Sequence, residues 1–169
     1  MNEEGTSVVR SDDGFLILGN SETFGEGRWD MWVVKIDKEG NKIWEAAYGG
    51  KNNEMGNNII ATSDGGFVLA GYSYSFAVAS LDAWVVKIDK DGRQVWAGNF
   101  GGLSTDEAFG VVELADGSLV MGGYTDVYEP NEDFENVSAD KHNIFVVKMD
   151  ANGKKIWESS IGGTGNQKA

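Results

Sequence analysis

One phrase of eleven residues occurs three times in this chain, and it constrains the fold more than any other feature. It reads GNKIWEAAYGG at residues 40–50, GRQVWAGNFGG at 92–102 and GKKIWESSIGG at 153–163. Self-similarity at a period of roughly 20 to 50 residues is typical of solenoids, propellers and repeat arrays. The chain is therefore predicted to be one domain with repeats at approximately 1–50, 51–102 and 103–163, and with 164–169 beginning a further repeat or closing a ring.

Each repeat carries the pattern of four β-strands. Runs of valine, isoleucine and aromatic residues, such as GGFVLAGYS and DAWVVKID in the second repeat, are separated by Asp-Gly and Asn-Gly pairs. Such runs predict strands joined by tight hairpins. The predicted strands of the second repeat cover residues 56–61, 66–73, 82–89 and 93–100. Four short antiparallel strands per repeat are typical of a propeller blade, so we predict an all-β, β-propeller fold with three blades per chain.

Two features of the strands predict how the blades pack together. The VVKI segment of the third strand is largely apolar at successive positions, which predicts that neighbouring blades cover both of its faces. Trp44, Trp96 and Trp157 each follow a hairpin glycine by four residues, on the outermost strand. Since an aromatic side chain buries about 150 to 250 Å², we interpret these tryptophans as closing the gap between adjacent blades. Stacking on a ligand is the alternative role.

At these residues the chain resembles the SBBP-type β-propeller repeats of bacterial and archaeal surface proteins. The shared elements are the DG-x-hydrophobic-GY(S/T) block, the DAWVVKIDxxG block and the G-x-x-x-W spacing that ends in Gly-Gly. More distantly, it is similar to the tryptophan-docked repeats of quinoprotein propellers, from which no catalytic residue carries over. The resemblance implies a propeller fold and a secreted or cell-surface location. It says little about activity, because propellers host many unrelated functions.

Three blades are too few for a closed ring, since propellers typically have about four to eight. The start of the chain, NEEG, aligns with NEMG at residues 53–56, and its end, GNQKA, reaches the same phase of the repeat. An uncovered terminal blade would expose an apolar face and raw strand edges. We therefore expect self-association, with two chains closing head to tail into a six-bladed homodimer. A segment of a longer propeller is the alternative.

The charge and composition exclude several classes of partner. The formal net charge of −13 argues against nucleic acid, because affinity for phosphate backbones comes largely from lysine and arginine. The apolar runs are far shorter than the roughly 20 residues of a membrane-spanning helix, so we expect no membrane insertion. Cysteine is absent, which excludes disulfides and thiolate metal sites. The N-terminal MNEEGTS carries no pattern of a signal peptide, and the cellular location stays open.

The loops that join the second strand to the third form the candidate ligand-binding face, together with the crossings between blades. Binding residues concentrate on loops that a rigid scaffold positions. The candidate residues on this face are Phe24, Trp29, Asp30, Tyr74, Phe76, Asp82, Tyr128, Phe134 and His142. Exposed aromatic rings beside carboxylates and amides would suit a carbohydrate, whereas rings that only plug the blade ends are the structural alternative. Asp30 and Asp82 either anchor backbone amides of the adjacent loop or face the ligand.

An acidic insertion in the third repeat is the one candidate metal site. Its carboxylates include Glu129, Glu132, Asp133 and Asp140, and Ca²⁺ takes six to eight oxygen ligands. The spacing matches no EF-hand loop, so a solvated acidic loop is the alternative, and we otherwise expect no cofactor. The motifs DKEG, DKDG and DANG lack the later ligands of a calcium loop and are interpreted as hairpin turns.

No catalytic residues are predicted. The chain has one histidine, no nucleophile-elbow serine and no GxGxxG motif. The sequence therefore indicates neither a catalytic triad nor a dinucleotide-binding site. We predict a non-catalytic scaffold that binds a protein or a small ligand. The alternatives are a glycan-binding propeller, a glycoside-acting enzyme with two carboxylates about 5 to 10 Å apart, or a fragment of a larger propeller without independent function.

Overall fold

The computed structural model describes residues 2–126 and 142–162, and these residues form an all-β structure. The strands are β1 (Glu3–Ser11), β2 (Gly14–Ser21), β3 (Asp30–Asp37), β4 (Lys42–Tyr48), β5 (Glu54–Ala61), β6 (Phe67–Ser73), β7 (Asp82–Ile88), β8 (Gln94–Phe100), β9 (Asp106–Glu113), β10 (Leu119–Asp126), β11 (His142–Met149) and β12 (Lys155–Ile161). No helix occurs in these residues. Accordingly, no helix in the described part of the chain is long and apolar enough to cross a membrane.

The strands form three four-stranded antiparallel sheets, one from each repeat, as the repeat pattern predicts. The first sheet is β1 to β4, the second β5 to β8 and the third β9 to β12, with strands neighbouring in chain order. The first strand of the second sheet begins at Glu54, two residues before the predicted start. A register shift between Gly56 and Asn58 interrupts the alternation there, because a β-bulge places two residues opposite one. The sequence pattern therefore misses the first two residues of this strand.

The sheets pack face to face in chain order, with the second sheet in the middle. One core lies between the first and second sheets and joins Leu18 and Met31 to Leu69 and Trp84. The other core lies between the second and third sheets. β7 is consequently buried at all seven of its positions, whereas β3 and β11 are only partly buried. The prediction that both faces of this strand are covered thus holds for the middle sheet alone.

The buried lysine within the VVKI segment of the second repeat pairs with a carboxylate at the surface. Lys87 Nζ lies 2.6 Å from Asp64 Oδ1 and also donates to the Thr62 hydroxyl. Partial desolvation opposes ionisation of Asp64, but the hydrogen bonds from Lys87 and Thr62 outweigh it and lower the pKa of Asp64 to about 2. The ammonium group therefore interrupts the apolar strand without being left unpaired, as buried charges require.

The repeated tryptophans lie where consecutive sheets meet. The Trp44 ring comes within 2.9 Å of the position that a Cβ on Gly92 would occupy, and the Trp96 ring within 2.6 Å of the corresponding position on Gly153. Both glycines are in hairpin turns with φ of +81° and +78°. Trp96 Nε1 also donates to the carbonyl of Ala151 at 3.0 Å. The hairpin glycine therefore serves twice, because it adopts a left-handed conformation and leaves room for a ring from the preceding sheet.

Candidate ligand-binding face

The loops between the second and third strands and the crossings between sheets emerge at one edge of the structure. In the described residues these are the loops 22–29 and 74–81 and the crossings 49–53 and 101–105. Backbone hydrogen bonds tie each loop to a crossing, as from Tyr74 N to the Asn53 carbonyl at 3.0 Å. This edge is called the loop face below. Its third loop, from 127 to 141, lies outside the described residues.

Asp30 and Asp82 hold the loops that precede them. Asp30 Oδ2 accepts a hydrogen bond from Gly27 N at 2.9 Å, and Asp82 Oδ2 accepts one from Val78 N at 3.0 Å. Both side chains are buried, with exposures of 1% and 0%. The structure therefore places them as anchors of backbone amides, and neither faces the solvent at the loop face.

A second pair of buried acids, Glu54 and Asp106, stands at the first position of β5 and β9. Glu54 accepts hydrogen bonds from Gly50 N at 2.6 Å and from the Ser73 hydroxyl at 2.7 Å. Asp106 accepts one from Gly102 N at 3.1 Å. Sequence reasoning missed these acids, although each one follows the second glycine of the Gly-Gly pair by four residues. Aligning the crossings as carefully as the strands would have found them.

At each crossing the two acids meet over the first glycine of the Gly-Gly pair. A Cβ on Gly49 would overlap Asp30 Oδ1 and lie 2.6 Å from Glu54 Oε2. A Cβ on Gly101 would overlap Asp106 Oδ2 and lie 2.8 Å from Asp82 Oδ1. The first glycine is therefore required because carboxylates fill the space of a side chain.

The paired carboxyl groups are poorly solvated. Asp30 Oδ1 and Asp82 Oδ1 are buried and have no hydrogen-bond partner among the described residues. Burial raises the pKa of Asp30, and the nearby charge of Glu54 adds to the increase, although the bond from Gly27 opposes it. Burial likewise raises the pKa of Asp106, with Asp82 as a neighbouring charge. In each pair the neighbouring carboxylate therefore adds to the effect of burial on the pKa of the aspartate.

Phe24 and Phe76 cover the ends of third-strand tryptophans. Phe24 stacks on Trp32 with ring centroids 5.2 Å apart, and Phe76 packs on Trp84 at the same distance. Their backbone amides are each held by the hydroxyl of the last serine in the preceding strand. Each ring thus packs on a strand tryptophan and is still partly exposed, at 41% for Phe24 and 45% for Phe76.

A concave site of about 480 Å³ opens at the loop face, between the first and second sheets. Its lining residues are Arg28, Lys51, Asn52, Asn53, Tyr74, Ala79 and Ser80. Of the predicted face residues, only Tyr74 is among them, and its side chain is 44% exposed. Trp29 is half-buried, and its carbonyl accepts a bond from Glu54 N at 2.7 Å. We call this concave site the basic pocket.

Of the remaining predicted residues, His142 lies at the loop face but outside the basic pocket. His142 begins β11, with Nδ1 2.6 Å from Asp126 Oδ1 and its ring against Tyr124. The outer-strand Trp157 is 45% exposed. Tyr128, Phe134 and the candidate calcium ligands Glu129, Glu132, Asp133 and Asp140 fall outside the described residues. Within residues 2–126 and 142–162, no three acidic or histidine side chains are grouped so as to hold a metal ion.

Comparison with known proteins finds a distant relative. No family model matches the sequence. The chain is 24% identical over 136 residues to the "Regulatory protein FlaEY" of Caulobacter vibrioides. The match covers 71% of this chain but 14% of that protein, so the chain spans a small part of the relative's length.

Proposed function

We propose that this chain is a three-bladed β-propeller segment that closes head to tail with a second copy and acts as a non-catalytic binding scaffold. The observation that carries the proposal is a repeated contact, in which the outer-strand tryptophan of one sheet packs on the hairpin glycine of the next sheet. Trp44 lies on Gly92, and Trp96 lies on Gly153. The same contact is unmade at both ends of the chain of sheets. Nothing lies within 4 Å of a Cβ on Gly40 in the first sheet, and Trp157 in the third sheet is 45% exposed. A second copy would supply the missing partner at each end.

The uncovered sheet faces support the same closure. The outward face of the first sheet carries Phe15, Ile17, Trp32, Val34 and Ile36. The matching positions of the second sheet, buried against the first sheet, are Phe67, Leu69, Trp84, Val86 and Ile88. The third sheet presents Ile144 and Ile161, which are 58% and 55% exposed, at the positions of the buried Met31 and Tyr48. Each open face therefore carries residues of the type that, at the internal junctions, pack against a neighbouring sheet.

The spacing of the strands supports a radial arrangement of blades. β5 lies against β1, β2 and β3, and β9 lies against β5, β6 and β7. The first strands of consecutive sheets are thus close together, and a tryptophan ring fills the space near the fourth strands. Sheets that converge at one side and separate at the other form wedges, and repeated wedges close a ring.

A binding role is favoured over a catalytic one. The paired carboxyl groups at the crossings are between 0% and 2% exposed and are committed to backbone amides. A glycosidase instead needs two carboxyl groups that flank a substrate bond. The name of the Caulobacter relative describes regulation and mentions no reaction. We assign recognition to the loop face, where the basic pocket opens.

The mass in solution tests closure. We expect light scattering over a dilution series to give twice the 18.3 kDa of one chain. Trp157→Ala and Gly40→Asn should each weaken the dimer at least about tenfold, because each disturbs one side of the same contact. Asparagine tolerates positive φ, so Gly40→Asn adds a side chain without breaking the turn. Gly65→Asn is the matched control, since Gly65 has φ of +84° and open space around it in the middle sheet.

Two results would contradict ring closure. One is a folded wild-type monomer at every concentration, which would leave a segment of a larger propeller as the better interpretation. The other is an open-ended polymer, because a heterologous contact that does not close generates filaments.

A further inference from the structure

We propose that the basic pocket binds a carboxylate-bearing sugar, such as a uronic acid unit of a saccharide. This inference rests on the proposed recognition role of the loop face and names its ligand class. The pocket volume of about 480 Å³ lies within the usual range for small-ligand sites. It opens between the first and second sheets of a single chain, so it does not depend on ring closure.

The charge of the lining is unusual for this chain. The sequence has 27 acidic residues against 14 lysines and arginines, yet the pocket is lined by Arg28 and Lys51 and by no acidic residue. Neither cation forms an ion pair with any other described residue. A guanidinium group can grip a carboxylate through two parallel hydrogen bonds, and an ammonium group adds a point charge. The pocket therefore favours an anionic ligand although the protein as a whole repels one.

The acids nearest the pocket, Glu54 and Asp30, are outside its lining. Glu54 follows Asn53 directly, but both of its oxygens accept hydrogen bonds from the protein. Asp30 beside it is buried, and its pKa is raised. Both acids are thus engaged within the protein, and neither lines the pocket.

The uncharged lining residues favour a sugar as the body of the ligand. Tyr74 exposes part of its ring, which can stack on the apolar C–H face of a pyranose. The amides of Asn52 and Asn53 and the hydroxyl of Ser80 can bond sugar hydroxyl groups. Ala79 is the one aliphatic side chain in the lining. A peptide carboxylate would need a larger apolar recess for its last side chain.

Comparison of the two crossings shows which residues the scaffold requires. The crossing between the second and third sheets keeps the anchoring acid Asp82 and the Gly-Gly pair. In place of Arg28, Lys51 and Tyr74, however, it has Ser80, Leu103 and Asp126. The fold is built equally well without the two cations and the tyrosine. The scaffold therefore does not require these three residues at the first crossing, and they are available to bind a ligand.

Calorimetric titration with trigalacturonic acid tests the assignment, with the methyl-esterified trisaccharide as the matched neutral probe. We expect the acid to bind and the ester to bind at least about tenfold more weakly, because charge-assisted hydrogen bonds are lost. Arg28→Gln and Lys51→Gln should each weaken the acid at least about tenfold and leave the ester unchanged. Arg93→Gln, which removes a cation at the opposite edge, should bind like the wild type. Added salt should weaken the acid more than the ester.

Three outcomes would overturn the assignment: equal binding of acid and ester, full binding by both glutamine variants, or no binding of the acid at millimolar concentration. Measuring the mass in the same buffer separates this test from the test of closure. A monomer that binds the acid would refute the ring and retain the pocket. A dimer that does not bind it would retain the ring and refute the pocket.

Discussion

Removal of the Trp96 ring should destabilise this protein substantially. The side chain is half-buried, packs beside the core between the second and third sheets, and lies on Gly153. If about 100 to 150 Å² of the ring is buried, its removal costs roughly 2.5 to 4 kcal/mol at about 25 cal/mol per Å². Loss of the Nε1 bond to Ala151 adds about 1 kcal/mol. We therefore expect Trp96→Ala to lower the free energy of unfolding by about 3 to 5 kcal/mol.

Two companion variants show where this free energy comes from. Trp96→Phe keeps an aromatic ring but loses the hydrogen bond, so it should cost less than half as much as Trp96→Ala. Trp157→Ala removes the equivalent ring in the third sheet, which is 45% exposed and has no described glycine turn beneath it. At protein concentrations that keep the chain monomeric, it should cost about 1 kcal/mol or less.

Urea unfolding followed by far-UV circular dichroism measures these differences without relying on tryptophan fluorescence. Equal losses for Trp96→Ala and Trp157→Ala in the monomer would refute the docking role of Trp96, since only one of the two rings has a neighbouring sheet. A loss below about 1 kcal/mol for Trp96→Ala would refute it as well.

Two further predictions concern the crossings. Gly49→Ala should destabilise the fold by about 1 to 3 kcal/mol or more, because its Cβ would overlap Asp30 Oδ1, whereas Gly102→Ala, in open space, should change the urea midpoint little. Because burial raises the folded pKa of Asp30, its contribution to stability is complete below the unfolded value of about 3.9 and is lost as pH rises through the folded value. Asp30→Asn should therefore raise the urea midpoint at pH 7 and leave it nearly unchanged near pH 3.5. An equal rise at both pH values, or a rise with the exposed control Glu39→Gln, would refute this linkage.

The repeat pattern predicted most of the fold because strands and hairpins are local. Alternating apolar runs and the turn motifs around Gly40, Gly92 and Gly153 identify strand order and hairpin position within a few neighbouring residues. The predicted bounds fail where a bulge interrupts the pattern, as at Gly56, because the extra residue belongs to a pairing that the sequence does not display. The four-stranded sheets are therefore readable from the sequence alone.

The candidate site was predicted much less well, because its parts come from segments that meet only when the sheets pack. The repeat marks Asp30 and the Gly-Gly pair, but their purpose depends on Glu54, which approaches from the next repeat. Arg28 and Lys51 are unremarkable charged loop residues in the sequence. Packing of the first sheet against the second brings them to one pocket with Tyr74. The sequence by itself determined the strands and their turns, which depend on local backbone preferences; the tertiary structure decided which acids are paired and which cations share a pocket, because those depend on contacts between distant residues.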